Sequence, residues 1–193
     1  MENTVDAELR AGRRKGAKPM MWIAMVSMTM MFAGLTSAYV ISSSREDWVR
    51  FDLPAAFELS TFFIFLSSIT YFVAKKTAQK GNRNLTSVML LLTLVFGFVF
   101  VYCQFEGFHA LQEMGLYFTG PKSEVSSSML MVIVFAHVVH VAAGIISLLV
   151  VCYKQFRGLY TKEDTLGLEV GELFWHFLDL LWIGLFCFFY FNT

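Results

Sequence analysis

Three cysteines, three prolines and four histidines are spread over 193 residues, and charged side chains make up only 16% of the chain. Cys103, Cys152 and Cys187 stand singly on separate apolar stretches with no CxxC spacing. That pattern argues against a thiolate metal site and for small buried hydrophobes. No HExxH motif accompanies the histidines, and none of the short alternating segments of a β-barrel is present. The polar segments are too short to bury a core, so no soluble domain is expected. There is no internal repeat and no long apolar run broken by Gly and Pro at mid-length, which excludes the usual layout of a secondary transporter. The first apolar run, at 20–41, is too long for the h-region of about 7–15 residues that a cleaved signal carries. A retained first helix is therefore expected.

What the chain has in quantity is apolar sequence. Hydrophobic residues form 56% of it and mean hydropathy is +0.59. Windows at 20–41, 56–74, 85–105, 128–152 and 173–191 are each close to or above the roughly 20 residues that cross a hydrocarbon core as helix. The expected fold is all-α, an integral membrane bundle of five transmembrane helices over 20–193, preceded by a basic tail at 1–19. The third helix is expected to run past Phe105, because "QFEGFHALQEM" keeps a helical period, and "TGP" then breaks the chain. Lys and Arg number five in the tail, then two, four, one and three in successive loops, and none at the C-terminus. The positive-inside rule places the N-terminus in the cytoplasm and the C-terminus in the periplasm. Trp22, Trp48 and Trp175 fall near window ends, where interfacial aromatics belong. The formal net charge of zero says nothing about partners.

Ionisable groups inside a bilayer are costly unless paired, so each raises a functional question. Gln104, Glu106 and His109 lie on the third helix and its extension, His137 and His140 on the fourth, and His176 and Asp179 on the fifth. His137 and His140 are three residues apart and Gly144 follows one turn on, so one face carries all three. Gly144 would admit a close neighbouring helix. Trp175, His176, Asp179 and Trp182 form a second stripe on the fifth helix. The plain reading is a polar network between helices, in which imidazole N–H groups donate to a carboxylate and indoles pack around them. Its members are Gln104, Glu106, His137, His140, Trp175, His176, Asp179 and Trp182. A zinc site and a bis-histidine haem are the sharper alternatives, and copper–haem oxygen chemistry needs more imidazoles than four. In the first helix, Ala33/Ser37 and Gly34/Ala38 are small-xxx-small pairs suited to helix contact. Six of the eleven methionines lie in that region, most simply as gap fillers. Ser60, Thr61, Ser67, Ser68 and Thr70 can bond within the second helix or across to a partner, and Glu58 lies near the outer interface.

Taken together, these stretches resemble subunit III of haem–copper cytochrome oxidases along nearly the whole chain. "MWIAMVSMTMMFAGLTSAY" is similar to that family's MWxFxxSExMxFxGxxSAY helix, and "LPAAFELSTFFIFLSSITYFVAKKTAQKGN" to its LPxxxxxxTxxLLxSSxT segment and basic turn. "CQFEGFHAL" resembles a QxxxW-type motif, "FAHVVHVAAG" the GxHxxHVxxG motif, and "FWHFLDLLWIGLF" the closing WHFxDxxWxxLF signature. Two departures stand out: Met28 follows Ser27 where the family often has a buried glutamate, and Ala136 replaces a glycine. A role that depends on that glutamate, in proton delivery or carbodiimide reactivity, therefore does not carry over.

The resemblance implies a non-redox subunit of a proton-pumping oxidase that passes electrons from cytochrome c to dioxygen. It implies no cofactor in this chain, with haems and copper in subunits I and II, and bound phospholipids. The implied partners are subunits I and II, with subunit IV and a respiratory supercomplex left open, and no nucleic acid. It also implies the five-helix bacterial form, lacking the first two of seven helices, in the inner membrane. The equivalent subunit of a quinol oxidase shares these motifs, and a haem b membrane anchor is the alternative from another class.

Overall fold

The computed structural model describes residues 2–46, 48–49, 51–118, 124–160 and 165–192, with backbone alone for 2–11, 13 and 14. The "TGP" break and Arg50, Lys122 and Lys162 lie outside the described residues.

Five helices account for almost all of it: α1 (Glu2–Ser42), α2 (Ala55–Gln79), α3 (Arg83–Glu113), α4 (Val125–Phe156) and α5 (Leu166–Asn192). Each contains a span long and apolar enough to cross a membrane. At ~1.5 Å per residue the shortest, with 25 residues, exceeds a ~30 Å hydrocarbon core. α2, α3 and α4 end at Gly81, Gly115 and Gly158, all at positive φ. At Gly81 the backbone folds back so that Asn82 N–H donates to Thr77 O, closing the helix end with a left-handed residue that only glycine adopts freely. Asn82 then accepts from Leu85 N–H and starts α3, so the α2–α3 turn is short and the two helices are antiparallel neighbours.

The packing order follows from which helices touch. α2 packs on α3, α3 on α4, α4 on α5, and α5 on α2, closing a four-helix ring, while α1 lies against α4 and α5. The stretch of α1 around Lys18, the α2–α3 turn, the end of α4 at Gly158 and the start of α5 share one end of the bundle. Lys15, Lys18, Lys75, Lys76, Lys80, Arg83, Lys154 and Arg157 lie toward that basic end.

Polarity runs opposite to that of a soluble protein. Ser60, Ser67, Thr86, Thr93, Gln104, His137, Glu172 and Asp179 are buried, while Phe62, Phe65, Ile69, Phe72, Val95 and Phe98 face outward. A bundle surrounded by lipid gains little by hiding apolar side chains, whereas backbone and polar groups must be satisfied internally.

The small-residue face of α1 packs on no helix among the described residues at Ala33, Gly34 and Ser37, and Ala38 is half-buried. Ala33, Gly34 and Ser37 are exposed, and nothing lies within 4 Å of where a Cβ on Gly34 would stand. The opposite face makes the contact instead, through Phe32 against the rings of His137 and His140, and Tyr39 against Trp48, Phe188 and Phe189. Large rings reach across a gap that small residues would have to close by backbone approach.

Candidate functional site

The stripe predicted on α5 is met by hydroxyls of α2. Trp175 Nε1 donates to Ser67 Oγ at 2.7 Å, Trp182 Nε1 donates to Thr61 Oγ1 at 2.9 Å, and His176 Nδ1 lies 2.5 Å from Ser68 Oγ. Deeper in sequence toward the basic end, Lys75 Nζ donates to Glu172 Oε2 at 2.6 Å. Thr61, Ser68 and Lys75 are seven residues apart, as are Ser60 and Ser67, so α2 offers one continuous polar seam. The heptad spacing of these residues was the available signal for a facing helix. Lys75, read from sequence as part of a charged turn, and Glu172, one turn before His176, belong to this seam.

The two indoles also fill the middle of the ring. The edge of Trp175 lies where a Cβ on Gly97 of α3 would be 2.9 Å from Cη2, and its other side lies against Gly144 of α4. Gly144 thus admits α5, with Leu178 Cδ1 2.8 Å from where its Cβ would be. Trp182 packs on Phe100 at 5.2 Å, on His137 at 5.2 Å and on Phe57 at 6.2 Å between ring centroids. Each indole therefore touches three helices besides its own and holds the ring closed.

The remaining members of the predicted network separate. Gln104 Nε2 donates to Ser60 Oγ at 2.8 Å and joins α3 to α2. Glu106 is exposed on α3, away from the bundle interior. His140 Nδ1 is bonded to the Ala136 carbonyl of its own helix at 2.7 Å. His137 is fully buried among Phe32, Phe100 and Trp182, and neither of its nitrogens has a hydrogen-bond partner among the described residues. His137 and His140 both lie against Phe32, but Glu172 of α5 pairs with Lys75 of α2 and Asp179 lies beside Ser68 of α2, with no bond to an α4 imidazole among the described residues. Asp179 Oδ2 lies 3.9 Å from His176 Nδ1, and His176 Nε2 lies 3.6 Å from Glu172 Oε1.

A resident metal or haem fits these residues poorly. Among the described residues no three His, Cys, Asp or Glu side chains gather into a metal-holding group. Bis-imidazole haem ligation needs histidines facing each other from different helices. Here His137 and His140 share α4, His176 is engaged by Ser68, and His109 is exposed on α3.

A multi-pass membrane bundle with an apolar outside, a hydroxyl–indole seam inside and, among the described residues, no gathered ligand set is the class of protein that these features define. The family profile described as cytochrome c oxidase subunit III matches residues 1–193, and the chain belongs to that family. Among its relatives, subunit 3 of the cytochrome bo(3) ubiquinol oxidase of Buchnera aphidicola (subsp. Schizaphis graminum) is 31% identical over 177 residues, covering 89% of this chain and 92% of the relative. The subunit of the same name from Pseudomonas aeruginosa is 28% identical, covering 86% and 79%. Subunit 3 of the cytochrome c oxidase of Corynebacterium diphtheriae is 30% identical, covering 84% and 81%. The chain is accordingly a subunit III of a haem–copper terminal oxidase complex.

Proposed function

We propose that this chain is a non-redox accessory subunit of a proton-pumping oxidase that passes electrons from cytochrome c to dioxygen. It docks on subunits I and II in a bacterial inner membrane, binds phospholipid, and supports assembly, proton uptake and stability during turnover. Subunit IV and a respiratory supercomplex are further candidate partners. The observation that carries the accessory reading is the use made of the interior imidazole and indoles. Trp175, His176 and Trp182 are each committed to a hydroxyl of α2, which makes them packing groups and not ligands. The basic end of the bundle supports an orientation with the N-terminus, including residues 1–19, in the cytoplasm and the C-terminus in the periplasm. The outward apolar faces offer area for a partner subunit and for lipid.

A second reading, subunit III of a quinol oxidase, is favoured by the Buchnera and Pseudomonas relatives. Purifying the complex through a tag on this chain distinguishes them. Native mass spectrometry should find subunits I and II with retained phospholipid, and oxygen consumption should follow reduced cytochrome c in the first case and ubiquinol in the second. A stoichiometric b-type haem band in the isolated chain would overturn the accessory role. Asp179→Asn or His140→Ala should weaken association with subunit I or lipid retention, while assembled complexes keep their haem spectrum.

A further inference from the structure

Four groups that carry or can carry charge run along the α2–α5 seam from the basic end inward. Lys75 is paired with Glu172 at 2.6 Å, Glu172 faces His176 at 3.6 Å, and His176 faces Asp179 at 3.9 Å. Glu172 and Asp179 are both buried, Asp179 to 3% exposure. Neither oxygen of Asp179 accepts a hydrogen bond from a described residue.

Charge counting constrains this cluster. Lys75 and Glu172 cancel. A carboxylate on Asp179 beside a neutral imidazole on His176 would leave one uncompensated negative charge inside an apolar bundle, which is costly. One proton on the pair restores neutrality, as imidazolium with carboxylate or as imidazole with carboxylic acid. Among the described residues, the neighbouring elements supply no other counter-charge at a contact distance. From α1, Lys18 is taken by Glu169 at 2.7 Å. From α2, Tyr71 presents a neutral ring 6.4 Å from His176. From α4, His137 lies against Trp182 and His140 against its own helix, and Cys152 is a buried thiol. The Ser68 hydroxyl on His176 Nδ1 can donate or accept, so it suits either arrangement.

We propose that His176 and Asp179 hold one exchangeable proton between them inside the bundle, and that Glu172 and Lys75 link it to water at the basic end. The proposal needs only this chain and does not rest on the electron donor or on the accessory role.

The test uses the full-length chain in phosphatidylglycerol–phosphatidylcholine nanodiscs, with 13C-carboxyl aspartate and 15N-imidazole histidine. Infrared and solid-state NMR spectra at neutral pH should show a protonated interior aspartic acid or an imidazolium. That signal should vanish in Asp179→Asn, should appear wholly as the protonated aspartic acid in His176→Gln, where no imidazole is left to share the proton, and its hydrogen–deuterium exchange should slow in Glu172→Gln. Asp179→Glu, which removes the aspartate label but keeps the acid, assigns the band if the asparagine variant does not fold. A carboxylate at Asp179 beside a neutral His176 in the wild-type spectra would overturn the proposal.

Discussion

Trp175 Nε1 donates to Ser67 Oγ at 2.7 Å, and the same ring lies against glycines of two other helices, Gly97 and Gly144. A single side chain thereby joins α5 to α2 by a hydrogen bond and to α3 and α4 by close packing. In lipid, where apolar burial between helices has little driving force, such a bond and such a fit are what set the arrangement.

Removing the bond alone should be measurable. Ser67→Ala should lower stability by about 1 kcal/mol, near the ~0.6 average and below the ~1.7 maximum seen for interhelical bonds in membranes. Trp175→Phe, which also removes the ring edge packed against Gly97 and Gly144, should cost more. The double variant should cost less than the sum, since both changes break one interaction. Reversible unfolding in mixed detergent micelles reads this coupling. Full additivity would show that the contact contributes nothing.

The two glycines should respond differently to a methyl group. A Cβ at Gly97 would meet the rigid edge of Trp175 at 2.9 Å, and overpacking of this kind costs about 1–3 kcal/mol. A Cβ at Gly144 would meet the flexible end of Leu178 at 2.8 Å, which can turn aside. Gly97→Ala should therefore destabilise the bundle more than Gly144→Ala does. Gly34→Ala should be silent in the isolated chain, because nothing lies within 4 Å of that position. Melting temperatures of the three variants in one detergent give the order.

Lys75 and Glu172 should behave as a pair. Breaking a buried ion pair by removing one partner costs up to ~3–5 kcal/mol, and Lys75, with 29% of its side chain exposed, should fall below that range. Glu172→Gln and Lys75→Met should both destabilise, and combining them should recover part of the loss. A combined loss equal to the sum would count against the pairing.

His137 should tolerate loss of its nitrogens. Its ring is enclosed by Phe32, Phe100 and Trp182, and neither nitrogen is bonded to a described residue. Relief of an unsatisfied buried polar group is worth about 1–3 kcal/mol. His137→Phe should hold or raise unfolding stability, whereas a large drop would reveal a partner for the imidazole.

Much of this was legible in the sequence. The five apolar windows correspond to five helices. The stripe Trp175–His176–Asp179–Trp182 lies on one side of α5, with His176 half-exposed, and Gly144 marks a close approach. These are properties of single helices, fixed by a period of ~3.6 residues and by a bilayer that leaves the backbone no alternative to helix. The partner of each stripe was not legible. Nothing along one helix states its rotation against another, so the imidazoles of α4 and the carboxylate of α5 looked complementary although α5 turns that carboxylate toward α2.

The sequence by itself determined the number of spans, their polar faces and the positions where backbones can come close, because those depend on local periodicity and side-chain size. Only the tertiary structure decided that α2 supplies the hydroxyls, that His137 sits in an aromatic enclosure, and that the small face of α1 looks outward. Those outcomes depend on closing a ring of helices around Trp175 and Trp182, whose bulk fixes the rotations of α2, α3, α4 and α5 together, while Phe32 and Tyr39 seat α1 against that ring.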